Sequence, residues 1–105
     1  MMKIQFNTDK TVHGDERVRD FFTAKISDEL LRYQSHISRV EVHITDQNGK
    51  KEGWNDIHCL LEARIEARTP VAVSNQADTV EMAISGAVDK LKAALETILG
   101  RMQNH

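Results

Sequence analysis

Four stretches of the chain alternate apolar and polar side chains with the two-residue period of a half-buried β-strand. They cover residues 3–7, 38–45, 57–68 and 71–75. Each stretch is therefore predicted to be a strand with one apolar face. The third stretch is rich in Glu, Ala and Arg, which also suit a helix, so a helix remains an alternative there.

Two longer stretches repeat their apolar side chains every three or four residues, as the buried face of an α-helix does. The first begins near Asp15, whose carboxylate can accept amide hydrogens of the first turn. The second follows Asp78, which with Glu81 resembles a capping box, and it reaches Gly100, which either ends or weakens a helix. The apolar positions of the first are Val18, Phe22, Ile26, Leu30, Tyr33 and Ile37, the last of which can already lie past the helix end. Those of the second are Val80, Ile84, Val88, Leu91, Leu95 and Ile98.

The resulting element order is β-α-β-β-β-α, which predicts an α/β (α+β) fold. We expect a four-stranded mixed sheet with two helices packed on one face. The chain has no repeat, low-complexity segment or internal linker, so one domain is expected over residues 1–105. The other face of the sheet should be open to solvent, because its side chains are nearly all polar. They are Gln5, Asn7, Glu41, His43, Glu62, Arg64, Glu66 and Ser74.

Net charge and cysteine content narrow the function classes. The net charge is −2, so bulk electrostatics provide no general attraction to DNA or to an anionic membrane. No apolar run is long enough to span a bilayer and the N-terminus has no apolar signal core, which makes the cytoplasm the expected location. Cys59 is the single cysteine, which excludes an intrachain disulfide and a multi-cysteine zinc site.

No catalytic constellation is evident in the sequence. His58 and Cys59 are adjacent, like a base and its nucleophile, but neighbours on a strand point to opposite faces. Cys59 falls on the predicted apolar face and is expected in the core. The chain has no phosphate-binding loop, no Gly-x-Ser-x-Gly motif and no His-Glu-x-x-His motif. We therefore expect neither an enzyme nor a cofactor.

Two histidines and one tryptophan are candidates for a metal site and for a contact with a partner. His43 and His58 share the predicted open face and would form a metal site only if the strand register opposed them. Solvated histidines on a polar sheet are the favoured interpretation. Trp54, in a glycine-flanked loop, is a candidate contact residue, whereas Tyr33 belongs to the predicted core stripe.

The complete pattern resembles the ribosome hibernation promoting factor family, also known as the protein Y, RaiA or S30AE-type family. KIQFNTDK resembles its first strand and turn, VRDFFTAKI its first helix, and SRVEVHITDQNGKKEG its second strand and loop. Residues 59–91 resemble its last strands and final helix. Within them, AISGAVDKL is similar to a family pattern of Ala-Ile-Asp followed by Ala-x-Asp-Lys-Leu, with Ser85 in place of the usual Asp.

This resemblance implies a non-enzymatic protein that binds the small ribosomal subunit in the channel used by messenger and transfer RNA. It also implies that basic residues contact ribosomal RNA phosphates. By position these are Lys10, Arg19, Lys25, Lys90 and Lys92. The chain resembles the short form of the family, which lacks a C-terminal dimerisation domain.

A helical projection of the final helix adds Arg101 to these candidates. Lys90 and Arg101 share one flank of the apolar stripe, and Lys92 lies closer to the other flank. Asp89 and Glu96 lie on the outer face. A narrow basic edge beside an acidic back is therefore predicted.

The helices are balanced in charge, whereas typical family members have strongly basic helices. Residues 15–34 hold four bases and five acids, and residues 78–102 hold three bases and four acids. Pairing of these bases with nearby acids is therefore as plausible from the sequence as a free basic edge.

The sequence predicts a ribosome-associated factor that inhibits or protects idle ribosomes under stress. Lys and Arg contacts to the RNA phosphates of the small subunit would provide the binding. The alternative is an adaptor or homodimer of the same fold that has lost ribosome binding and uses the open sheet face or the Trp54 loop.

Overall fold

The computed structural model describes residues 2–8, 16–46 and 57–103, with side chains omitted at residues 8, 16, 18, 46 and 101–103. It confirms the predicted order of elements. They are strand β1 (Lys3–Thr8), helix α1 (Glu16–Glu29), a 3₁₀ turn (Leu31–Tyr33), strands β2 (Ile37–Asp46), β3 (Ile57–Ile65) and β4 (Val71–Ala77), and helix α2 (Val80–Gln103).

The four strands form one mixed sheet in the order β1-β2-β3-β4. Strands β1 and β2 are parallel, and the other two pairings are antiparallel. The strand predicted over residues 57–68 is observed over Ile57–Ile65, where it pairs on both sides, so the alternative of a helix is wrong there. Two full ladders of backbone hydrogen bonds outweigh the modest helix propensity of its Glu, Ala and Arg residues.

Both helices cover the same face of the sheet, as predicted, and enclose a single apolar core. Helix α2 packs on β3 and β4, and α1 lies over β1. The predicted stripe of α2 is confirmed, and the small side chains of Ala83 and Ala87 join it because they let the helix approach the sheet closely. Within the described ranges, no helix combines the length and apolarity needed to cross a bilayer.

The structure defines the ends of the helices, which the sequence left partly open. Helix α1 ends at Glu29 and Ile37 already belongs to β2, so the helical spacing of Ile37 was coincidental. Thr79 directly precedes α2, and its Oγ1 accepts the Met82 amide at 3.1 Å, so Thr79 rather than Asp78 caps the helix. Gly100 does not end α2, which continues to Gln103 because Leu99 is still buried in the core.

A close contact between β4 and α2 requires the glycine at position 86. The Nδ2 of Asn75 donates to the carbonyl oxygens of Met82 at 3.4 Å and Ala83 at 3.3 Å. A Cβ atom on Gly86 would lie 2.1 Å from the same Nδ2. The absence of a side chain at Gly86 therefore creates the space that Asn75 occupies.

Replacing Gly86 with Ala should lower the free energy of unfolding by about 1–2 kcal/mol, because the clash displaces Asn75 and breaks its hydrogen bonds. The matched control is Gly100→Ala, whose Cβ would have no atom within 4 Å. That change should stabilise the helix by about 0.5–1 kcal/mol. Urea unfolding measures both, and an equal stabilisation by the two substitutions would contradict the proposed contact.

Candidate nucleic-acid interface

The structure distributes the predicted RNA-binding residues over two sides of the helical layer. Arg19 is exposed on α1, and Lys25 of α1 and Lys92 of α2 each reach towards the other helix. Lys90 lies on the opposite flank of α2, beside β4. Lys10 lies outside the described residues. The backbone of α2 includes position 101, but the side chain of that arginine is not described.

Three ion pairs of described residues link α1 and the following 3₁₀ turn to α2, and we call this set the interhelical ladder. The partners advance along both segments together, so the two helices run side by side in the same direction. All of the side chains are partly exposed, so each pair is worth only about 0–1 kcal/mol. The pairs are Lys25 Nζ–Glu81 Oε1 at 3.9 Å, Lys92 Nζ–Glu29 Oε2 at 3.0 Å and Arg32 Nη1–Glu96 Oε1 at 3.0 Å.

A shallow groove of about 200 Å³ lies between the two helices beside the ladder. It is lined by Lys25, Glu29, Ser85, Val88 and Asp89. Acids therefore outnumber bases along this lining. Lys25 of this lining and Lys92 beside it are both directed at carboxylates, which is the pairing of bases with acids that the sequence made plausible.

Glu96 of the third pair also contacts Tyr33, which sequence analysis assigned only to the core. The Tyr33 hydroxyl donates to Glu96, and the Arg32 guanidinium lies 5.5 Å from the centre of the Tyr33 ring. Burial raises the pKa of Tyr33, and the carboxylate of Glu96 raises it further. The amphipathic character of Tyr33 was the available signal, but nothing in the sequence identifies a partner 63 positions away.

Lys90 has a different partner from the other predicted residues. Its Nζ donates to the backbone carbonyl of Ser74 at 2.8 Å. Because β4 is an edge strand, this contact places a charged group against an otherwise unpaired edge, which disfavours pairing with another chain. An ammonium has three donors, so two remain for another ligand.

Among the predicted residues whose side chains the structure describes, Arg19 has no carboxylate partner to exchange. Its side chain is exposed on α1, and among the described residues none forms an ion pair with it. Its guanidinium can therefore offer a planar set of donors to a phosphate without first losing a carboxylate partner.

The open face of the sheet is polar as predicted, and its register creates a charge cluster that sequence analysis missed. The Oε2 of Glu41 accepts from Arg39 Nη2 at 3.2 Å and from Arg64 Nε at 3.4 Å. The Nε2 of His43 lies 3.8 Å from the other carboxylate oxygen. The Glu41 side chain is only 17% exposed, and its single negative charge lies between the two arginines that the register places opposite each other, which reduces their repulsion.

The register does not oppose the two histidines of the metal alternative. His43 pairs with Leu60, and His58 pairs with Thr45. In the part of the chain that the structure describes, no group of three or more metal-ligating side chains comes together. The open face therefore presents these histidines as separate side chains.

The prediction that Cys59 is a core residue is confirmed. Cys59 is 0% exposed on the covered face of β3, whereas His58 lies on the open face. Burial raises the pKa of the Cys59 thiol to about 12. At neutral pH the thiol is protonated and separated from its neighbour by the sheet, which disfavours nucleophilic chemistry.

The chain is similar to known proteins over nearly its whole length. Residues 5–103 match the family described as "Sigma 54 modulation protein / S30EA ribosomal protein". The chain belongs to this family. It is the S30AE family of ribosome hibernation factors and protein Y, whose members are ribosome-associated, so the resemblance in the sequence is confirmed.

Two solved structures share the fold of this S30AE-family chain. The Protein Y N-terminal domain of Thermus thermophilus is 18% identical, with a TM-score of 0.73 and coverage of 92% of this chain and 99% of that domain. A ribosomal subunit interface protein from Coxiella burnetii is 13% identical, with a TM-score of 0.73 and coverage of 95% and 99%. No curated protein matches the sequence significantly.

Burial of Cys59 predicts a loss of stability in alkaline solution. The unfolded thiol ionises near its ordinary pKa of 9.0, whereas the folded thiol holds its proton until about pH 12. The stability that depends on the protonated, buried thiol is fully present below pH 9. As pH rises from 9 towards 12, the free energy of unfolding should fall by up to roughly 1.4 kcal/mol per pH unit.

Urea unfolding at pH 7, 9 and 10 measures this dependence. Cys59→Ala should remove the decline between pH 9 and 10, whatever its uniform packing cost. Tyr33→Phe is the control, because the unfolded phenol ionises around pH 10 and the folded one at higher pH, which places most of the Tyr33 contribution above pH 10. An unchanged slope in Cys59→Ala would exclude Cys59 as the titrating group.

Proposed function

We propose that this S30AE-family protein binds the small ribosomal subunit in the channel used by messenger and transfer RNA. It thereby inhibits or protects idle ribosomes under stress, as a non-enzymatic factor of the cytoplasm. The family match over residues 5–103 is the observation that supports this proposal most strongly. The shared fold of the Thermus and Coxiella proteins is consistent with it.

We further propose that the helical layer provides the contacts to ribosomal RNA phosphates. Arg19 is exposed, Lys25 lines the interhelical groove, and Lys92 is paired with Glu29 of the groove lining. Their present ion pairs are weak enough to be exchanged for phosphates, because phosphate binding also releases condensed counterions. Lys90 contributes from the other flank with its remaining donors. Lys10 and Arg101 complete the proposed set.

Cosedimentation of the purified chain with small subunits at low and moderate salt tests the proposal. Binding led by phosphate contacts must weaken steeply as salt rises. The double variant Lys25→Gln and Lys92→Gln should reduce the slope of log affinity against log salt by roughly 2, about 1 for each lost contact.

The matched control is Lys3→Gln with Arg68→Gln, which removes the same charge from two exposed positions outside the helical layer. It should leave the salt slope nearly unchanged. Equal losses in the two double variants would overturn the assignment to the helices. No cosedimentation of the wild-type chain at low salt would refute ribosome binding itself.

The second candidate is a protein-binding adaptor or homodimer of the same fold. It is favoured by the pairing of Lys25 and Lys92 with carboxylates and by two apolar side chains on the helices, Phe21 at 59% and Met82 at 57% exposure. Sedimentation velocity over a range of concentrations tests the homodimer. A species of twice the monomer mass that Phe21→Ser and Met82→Ser dissociate would support it, and a monomer at all concentrations would exclude it.

A further inference from the structure

The carboxylates of the interhelical ladder occupy the lysines that the proposed function assigns to RNA. Glu81 lies 3.9 Å from the Lys25 ammonium, and Glu29 lies 3.0 Å from the Lys92 ammonium. Asp89 lines the same groove and is exposed. Each lysine thus already has an anionic neighbour with the charge and geometry of a phosphate oxygen.

A polyanion that approaches this groove must exchange these partners. When a phosphate takes the ammonium of Lys25, the carboxylate of Glu81 is displaced but stays attached to α2 beside the new anion. The two negative groups then repel each other at short range. The same exchange occurs at Lys92 and Glu29. A flexible single strand gains little from such an exchange, because each new phosphate contact replaces an existing one.

A rigid partner that contacts the protein at several places responds differently. Contacts at Arg19 and Lys90, which have no carboxylate partner among the described residues, can hold it while the ladder exchanges. The ladder therefore penalises generic polyanions more than a surface that fits the whole helical layer. This is discrimination by a repulsive element rather than by an added attraction.

We propose that Glu29 and Glu81 are specificity-determining residues that keep the helical layer from binding single-stranded RNA indiscriminately. The proposal rests on the proposed function, since it takes Lys25 and Lys92 as phosphate contacts. The acids of these charge-balanced helices would then provide discrimination between RNA partners, whereas the lysines alone would attract any polyanion.

The test compares the wild-type chain with the double variant Glu29→Gln and Glu81→Gln. Both side chains are partly exposed, and Gln keeps their shape, so the fold should persist; circular dichroism and thermal unfolding check this. The control is Glu62→Gln with Glu66→Gln, which makes the same change in net charge at positions away from the helices. Fluorescence anisotropy measures affinity for a short oligouridylate, and cosedimentation measures affinity for small subunits.

In the Glu29 and Glu81 variant, oligouridylate affinity should rise about tenfold more than small-subunit affinity. The ratio of small-subunit affinity to oligouridylate affinity therefore falls about tenfold. Two released lysines should also steepen the salt slope for oligouridylate by roughly 1.4, about 0.7 for each added phosphate contact on a single strand. A merely structural role of the glutamates would leave this slope unchanged. The control variant should change the ratio less than twofold.

If the two double variants change the affinity ratio equally, only net charge matters and the proposal is overturned. It is also overturned if neither variant changes the ratio. Failure of the proposed function has a separate signature. In that case no variant binds small subunits, yet oligouridylate binding still responds to Glu29→Gln and Glu81→Gln. The glutamates would then still exclude polyanions from the groove, and the ribosome would be ruled out as the partner.

Discussion

The packing of one sheet face under two helices is the constraint on which the rest of this structure depends. Because side chains alternate along each strand, burying one face directs the intervening side chains to the opposite, open face. The same core fixes the rotation of each helix about its axis. Lys25 precedes the buried Ile26, and Lys92 follows the buried Leu91, so the core directs each lysine towards the other helix.

Periodicity in the sequence was sufficient to predict the fold because burial itself is periodic. Val42 and Cys59 belong to different strands, yet each could be assigned to the covered face from its neighbours alone, and both are fully buried. The ends of elements were predicted less well. Thr79 and Asp78 are both competent caps, and the choice between them depends on where the helix meets the sheet. Gly100 remains helical because a tertiary contact at Leu99 outweighs its low propensity.

The sequence was sufficient to predict which charged residues form the candidate site, but not which side chains they pair with. The balance of acids and bases in the helices indicated that pairing was plausible, but Glu29 meets Lys92 only after the two helices have docked. The contact of Glu41 with Arg64 likewise depends on the register of β2 and β3, which no local pattern specifies. Sequence therefore identifies the charges of this family member, and the tertiary structure determines which charges remain available to a partner.

The contacts between β4 and α2 have a consequence for local opening of the chain. Asn75 of the strand binds backbone carbonyls of the helix, and Lys90 of the helix binds a backbone carbonyl of the strand. Separating the two elements breaks both sets of hydrogen bonds together, in addition to exposing the apolar stripe. The amide hydrogens of β4 and α2 should therefore exchange with solvent as one cooperative unit. The described ion pairs between α1 and α2, by contrast, are partly exposed and add little to this cooperativity.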